Sequence, residues 1–348
     1  MSEQLWEGVH MSRQEMFFNP VMEEVNGVNK MVMPYVKDAE RTANPYQFDL
    51  DQNGVPLFTD KNIAFVNGMV ENDSNYNQTD KDELCKIFEG MFVGNADHRM
   101  ACIGRAVYEI DNENSTRLTA VGLYKIDDLM KKLNLKPVEM TEPDDDEEKK
   151  TIDDGEKKKT ITGGVLFTSQ IIAGIENLKE RLSVGDDRLV FEISHASTTY
   201  LNEAHVADAN KINFSFATKF CHWTCQYLEL GDKYCIYDNV VASVLPYFVD
   251  NYASGELASW DCCRMKKIKR GKGGQELVST IENYKKDDDG YTKYRNLYDA
   301  VLEGINKWRS ENNQNGEIGY REVDRLIWYY FKGASGKRVK QALASIDY

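Results

Sequence analysis

The chain has 348 residues, with 43 Lys+Arg against 57 Asp+Glu and a formal net charge of −14. That balance argues against a general nucleic-acid coat protein. Hydrophobic residues make up 41% of the chain, enough for a globular core, and no apolar run approaches the roughly 18 residues a membrane span needs. The opening MSEQLWEGVHMSRQEMFF lacks the basic and apolar regions of a signal peptide, and the seven cysteines, from Cys85 to Cys263, form no disulfide-like framework. These features predict a reduced, cytoplasmic protein without a membrane partner.

Residues 1–95 alternate helical patches, 21–36 and 81–92, with Asn/Asp-rich turns. Residues 105–126 read as a hairpin, with RAVYEI and RLTAVGLYKI as strands and DNENS as the turn. An amphipathic helix, IDDLMKKLNL, follows. The run EPDDDEEKKTIDDGEKKK can bury almost nothing and reads as a mobile linker or insertion over 142–160. The expected organisation is an N-terminal α+β region over 1–141, the linker, and a helical domain over 161–348. In that last part, apolar residues recur at helical spacing over 164–182, 212–230, 239–253, 291–309 and 320–332, which predicts a mainly α bundle.

Some constellations are bland. Asp49-Leu-Asp51-Gln-Asn53-Gly54, with Asp60 further on, imitates a calcium loop, but Pro56 stands where such loops need a strand-like residue, and an Asn-Gly turn fits better. Cys221, His222 and Cys225, with Cys235 nearby, have a zinc-like look; on a helix the two cysteines share an apolar face, the usual place of buried free thiols. Gly271-Lys-Gly-Gly274 lacks the strand and helix of a phosphate loop.

The segment INFSFATKFCHWTCQYLELGDKYCIYDNVVASVLPY, over 212–247, carries the chemistry. Asn213 or Ser215 caps a helix running to about Leu228, which places Lys219 in its first turn or so. The positive end of the helix and the apolar Phe216, Phe220 and Trp223 would disfavour an ammonium ion there, and a neutral amine is a nucleophile. The helix stops at Gly231, and a short extended piece leads to Asp238 at the start of the next helix. An amine and a carboxylate so arranged suit attack at a sugar C1′: one bonds to carbon, the other stabilises the oxocarbenium charge.

The spacing of Lys219 and Asp238, nineteen residues, and the phrase Ile236-Tyr237-Asp238 resemble the 8-oxoguanine glycosylase branch of the helix–hairpin–helix DNA glycosylase superfamily. Phrases like FSFATK…IYD and YREVDRLIWYYFK resemble bacterial members of that fold, some associated with phage defence. The likeness covers roughly residues 165–348. It implies a helix–hairpin–helix bundle, a duplex DNA partner carrying a modified base, Lys219 and Asp238 as catalytic groups, and no cofactor or metal. It also implies a base pocket that includes Trp223, Phe216 and Trp328. Ser215 and Ala217 stand where the family has its two hairpin glycines, so their N–H groups would face a DNA phosphate.

A second DNA contact is expected from the loop 264–272, where six of nine residues are basic, Lys266, Lys267, Lys269, Arg270 and Lys272 among them. From Glu256 onward the chain carries 18 Lys+Arg and 14 Asp+Glu, against 25 and 43 before it, so phosphate contact belongs to this part. The alternative expectation is a non-catalytic DNA- or protein-binding module that kept the fold. A protein partner for the N-terminal region would fit a role in defence.

Overall fold

A computed structural model describes residues 21–25, 28–32, 48–71, 81–114, 118, 163–195, 212–253, 265–270, 274–279 and 285–332. In chain order these form β1 (Val21–Val25), β2 (Val28–Val32), α1 (Asp60–Glu71), α2 (Lys81–Gly90), α3 (Ala96–Asn114), α4 (Gly163–Gly174), α5 (Leu178–Val184), α6 (Arg188–Ser194), α7 (Phe214–Tyr227), α8 (Asn239–Tyr252), β3 (Met265–Arg270), β4 (Gly274–Ser279), α9 (Gly290–Glu311) and α10 (Tyr320–Lys332). The described protein is mainly helical. Among the described residues no helix is long and apolar enough to cross a membrane. Contacts divide the chain into two compact units, one made of residues 1–78 and 234–348 and the other of 79–233. The boundaries expected near 141 and 161, the charge run and the helix IDDLMKKLNL lie outside the described residues.

In the first unit, α8 packs against α9, α10 and β4, and α1 packs against α10. The helix periodicity explains this: Val241, Val244, Leu245 and Phe248 recur at three and four residues on α8 and are buried. Gly304 of α9 lies close against the end of α8, where a Cβ would stand 1.9 Å from the Tyr252 carbonyl oxygen. The calcium-loop look-alike is a turn: Asp51 Oδ1 accepts from the Asn53 and Val55 N–H groups at 2.8 and 2.9 Å, and Gly54 takes a left-handed φ of 75°. The Asp51 carboxylate also meets the Tyr247 hydroxyl.

Arg309, in the last turn of α9, is 1% exposed. It donates to the carbonyls of Phe58 (2.6 Å), Asn315 (2.6 Å) and Gly316 (3.3 Å) and to Asp60 Oδ1 (2.8 Å). A guanidinium is removed from water at low cost only when its donors are met in this way. Asp60 in turn accepts the backbone and side-chain N–H groups of Asn315.

In the second unit, α7 packs against α2, α3, α5 and α6, and α3 against α2 and α4. Arg181 on α5 pairs with both carboxylate oxygens of Glu192 on α6, at 3.0 and 2.9 Å, and with Asp186 at 2.6 Å, linking the two short helices.

Several expectations are corrected. RAVYEI is not a strand: residues 105–110 belong to α3, whose Ile103, Ala106, Val107 and Ile110 are buried at helical spacing. RLTAVGLYKI lies outside the described residues apart from Leu118. The patch 21–36 is not helical where described; β1 and β2 pair antiparallel with Val25 opposite Val28. Asn26-Gly27, the dipeptide between them, is the most favoured in two-residue hairpins. The single helix expected over 164–182 is two, broken where Asn177 takes φ 53°. The basic loop is a strand, with Lys266 opposite Val278, Lys267 opposite Leu277, Lys269 opposite Gln275 and Arg270 opposite Gly274. Lys272 lies outside the described residues.

Candidate active site

Lys219, Phe216 and Trp223 belong to the second unit, and Asp238, Trp328 and β3 to the first. Asn213 is the N-cap residue of α7, though its side chain makes no capping hydrogen bond. Its own N–H donates to the Ser194 carbonyl at 2.9 Å, tying the start of α7 to the end of α6. Lys219 is therefore the sixth residue of α7, in its second turn. At that position the helix dipole has little hold on the amine, because its effect fades within one turn. What surrounds Lys219 is burial: it is 6% exposed, on a helix where Phe216, Ala217, Phe220 and Cys221 are also buried. The Phe216 and Phe220 rings stack at 5.9 Å. Phe216, at 1% exposure, is thus part of the packing and not of an open surface.

Trp223 lies one turn beyond Lys219 and is half-buried. Its indole stacks on Tyr227 at 5.9 Å, and Tyr227 stacks on Phe88 of α2 at 4.7 Å; His222 meets the indole edge-on. The indole Nε1 is buried and has no hydrogen-bond partner among the described residues.

The hairpin positions fare differently from each other. The Ala217 N–H donates to the Asn213 carbonyl at 3.0 Å inside the helix, so it is not available to a phosphate, and that expectation is corrected. Ser215 is the second helical residue, where backbone N–H groups have no intrahelical acceptor.

Cys221 and Cys225 are buried free thiols. Burial pushes both up, Cys225 to about 12 and Cys221 well above the ordinary range, so neither supplies a thiolate. Among the described residues no group of three or more His, Cys, Asp or Glu could hold a metal.

The path to Asp238 follows from its turn. Past α7, Glu229 and Gly231 take left-handed φ of 53° and 91°, and the Leu230 N–H returns to the Cys225 carbonyl at 2.9 Å. The chain then extends to Asp238, whose φ of −144° and ψ of 177° are those of an N-cap. Its Oδ1 accepts the N–H groups of Val240 and Val241 at 2.8 and 2.9 Å. The carboxylate is 6% exposed. Two buried tyrosines of α9 hold the approach: Tyr291 donates to the Cys235 carbonyl at 3.1 Å and Tyr294 to the Ile236 carbonyl at 2.6 Å. The Tyr237 ring stands edge-on to Tyr294, with Lys285 Nζ 4.6 Å from its centroid. No sequence signal pointed to Tyr291 or Tyr294, since their partners are backbone carbonyls more than fifty residues away.

Trp328 on α10 is half-buried, its ring edge-on to Tyr329 at 5.0 Å. An open cavity of about 720 Å³ in the first unit is lined instead by α9, with Asp299, Glu303, Lys307 and Glu311 among its residues, and by Glu317. Its four carboxylates against one lysine do not suit a DNA backbone. Comparison of the chain with protein-family models, with curated proteins and with solved structures found no match.

Proposed function

We propose that this protein is a DNA N-glycosylase that extrudes a modified base from a duplex and cleaves its glycosidic bond, in repair or in phage defence. The observation that carries the reading is the local layout: a buried lysine on an aromatic helix, a left-handed turn, an extended segment, and an aspartate capping the next helix nineteen residues later. In this reading the Lys219 amine, or a water, attacks C1′ while the C–N bond breaks and its electron pair leaves with the base. The Asp238 carboxylate stabilises the positive charge that develops on the sugar. Attack by the amine itself would form a C1′–N bond, and opening of the sugar ring, with the C1′–O4′ bond breaking and O4′ taking a proton, would leave an imine and an associated lyase step; attack by water would not. Trp223 and Trp328 are the aromatic surfaces proposed for the base, and Lys266, Lys267, Lys269 and Arg270 of β3 the cations proposed for the DNA backbone. The helix–hairpin–helix assignment belongs to the same proposal.

A second reading, a binding module without catalysis, is favoured by one observation: the Ala217 N–H is committed inside α7, which removes one of the two phosphate donors that the glycosylase likeness requires. The two readings separate on incubation with duplexes carrying a panel of modified bases, followed by alkali. Breaks at the modified position support the glycosylase. Retention of the duplex with no break at any base supports the binding module.

A further inference from the structure

We infer that Tyr291 and Tyr294 are positioning residues for Asp238, setting the place of its carboxylate through the backbone of the segment that precedes it. The role assigned to Asp238 in the reaction rests on the glycosylase reading; the geometry does not.

Tyr291 and Tyr294 are three residues apart on α9, so both project from one face of the helix. Their hydroxyls donate to consecutive carbonyls, Cys235 and Ile236, the third and second residues before Asp238. Both rings are buried, at 1% and 2% exposure. Burial pushes the Tyr294 hydroxyl well above the ordinary tyrosine range, so it remains a donor at any physiological pH. The rings contact the same segment: Tyr291 packs on Tyr234 and Tyr294 edge-on to Tyr237. An extended segment outside any sheet has no ladder to fix its carbonyls, so these two hydroxyls take that part. Beyond the segment, the Asp238 carboxylate is fixed from the other side by the N–H groups of Val240 and Val241. A shift of the 235–236 backbone therefore moves the carboxylate against α8.

The test is amide hydrogen exchange on the full chain carrying Tyr294→Phe, with Tyr291→Phe as the second variant should the first fail to fold. Loss of one hydroxyl should raise exchange of the Val240 and Val241 amides about tenfold, the usual net effect of one hydrogen bond, while Phe248 and Val249 later in α8 stay as in the wild type. An even rise along α8 would mean a general loss of stability, and no rise would mean that the hydroxyls do not fix Asp238; either overturns the inference. Where the wild type releases a modified base, Tyr294→Phe should lower kcat about tenfold and leave KM unchanged, since positioning acts on the transition state. An unchanged kcat beside faster exchange would overturn the link to chemistry. A wild type that releases no base refutes the glycosylase reading, and the exchange measurement still decides whether the tyrosines hold Asp238.

Discussion

Arg309 reaches across 249 positions of sequence to Asp60, and with the same guanidinium satisfies the carbonyl of Phe58. The start of α1 and the end of α9 are thereby joined by a charged group that is almost wholly out of water. Arg309→Met should remove the Phe58 carbonyl's guanidinium donor and lower the unfolding free energy by about 1–3 kcal/mol, read as a fall in the urea midpoint. An unchanged midpoint would show the latch to be dispensable.

The same latch gives a pH dependence. The Asn315 N–H and the Arg309 guanidinium hold the Asp60 carboxyl below the ordinary aspartate range. A carboxyl depressed in the folded state contributes stability that is present above its unfolded pKa of about 4 and is lost as pH falls through the folded value. Urea midpoints should therefore drop on acidification below about pH 4. Asp60→Asn should flatten that part of the profile, because no proton is then taken up at this position.

Asp238 offers a separation of capping from charge. Asparagine caps a helix about as well as aspartate, whereas alanine cannot. Asp238→Ala should cost about 1 kcal/mol of stability, while Asp238→Asn should cost far less. In a base-release assay both should be slow by about a hundredfold or more, because both remove the charge facing the sugar. An Asp238→Asn protein that keeps the wild-type rate would leave Asp238 a cap and nothing else.

Gly304 of α9 lies against the last residue of α8, where an added Cβ would meet the Tyr252 carbonyl oxygen at 1.9 Å. The obstacle is backbone, so it cannot swing away as a side chain would. Gly304→Ala, normally favourable inside a helix, should instead destabilise by about 1–3 kcal/mol. A raised midpoint in thermal unfolding would contradict this packing.

The sequence made legible those elements whose apolar residues repeat at helical spacing. The helices expected over 212–230, 239–253, 291–309 and 320–332 correspond to α7, α8, α9 and α10, and Asp238 is legible as a cap because a short extended piece precedes it and an apolar helical pattern follows. Where local preference opposed the longer pattern, the reading failed. RAVYEI has strand-like composition, yet its Ala106, Val107 and Ile110 continue the buried stripe begun at Ile103. Asn213 and Ser215 are both competent caps that place Lys219 two residues apart along the helix, and only the backbone distinguishes them. The roles of Arg309, Tyr291 and Tyr294 were not legible, since each acts on backbone atoms that are distant in sequence.

Single-turnover release of a modified base from duplex DNA decides whether Lys219 serves an enzyme that excises bases. The wild-type protein should release at least one modified base, and Lys219→Gln, with an unchanged urea midpoint, should release it at least about a hundredfold more slowly. Release by Lys219→Gln at the wild-type rate, or no release of any modified base by the wild type, would contradict it.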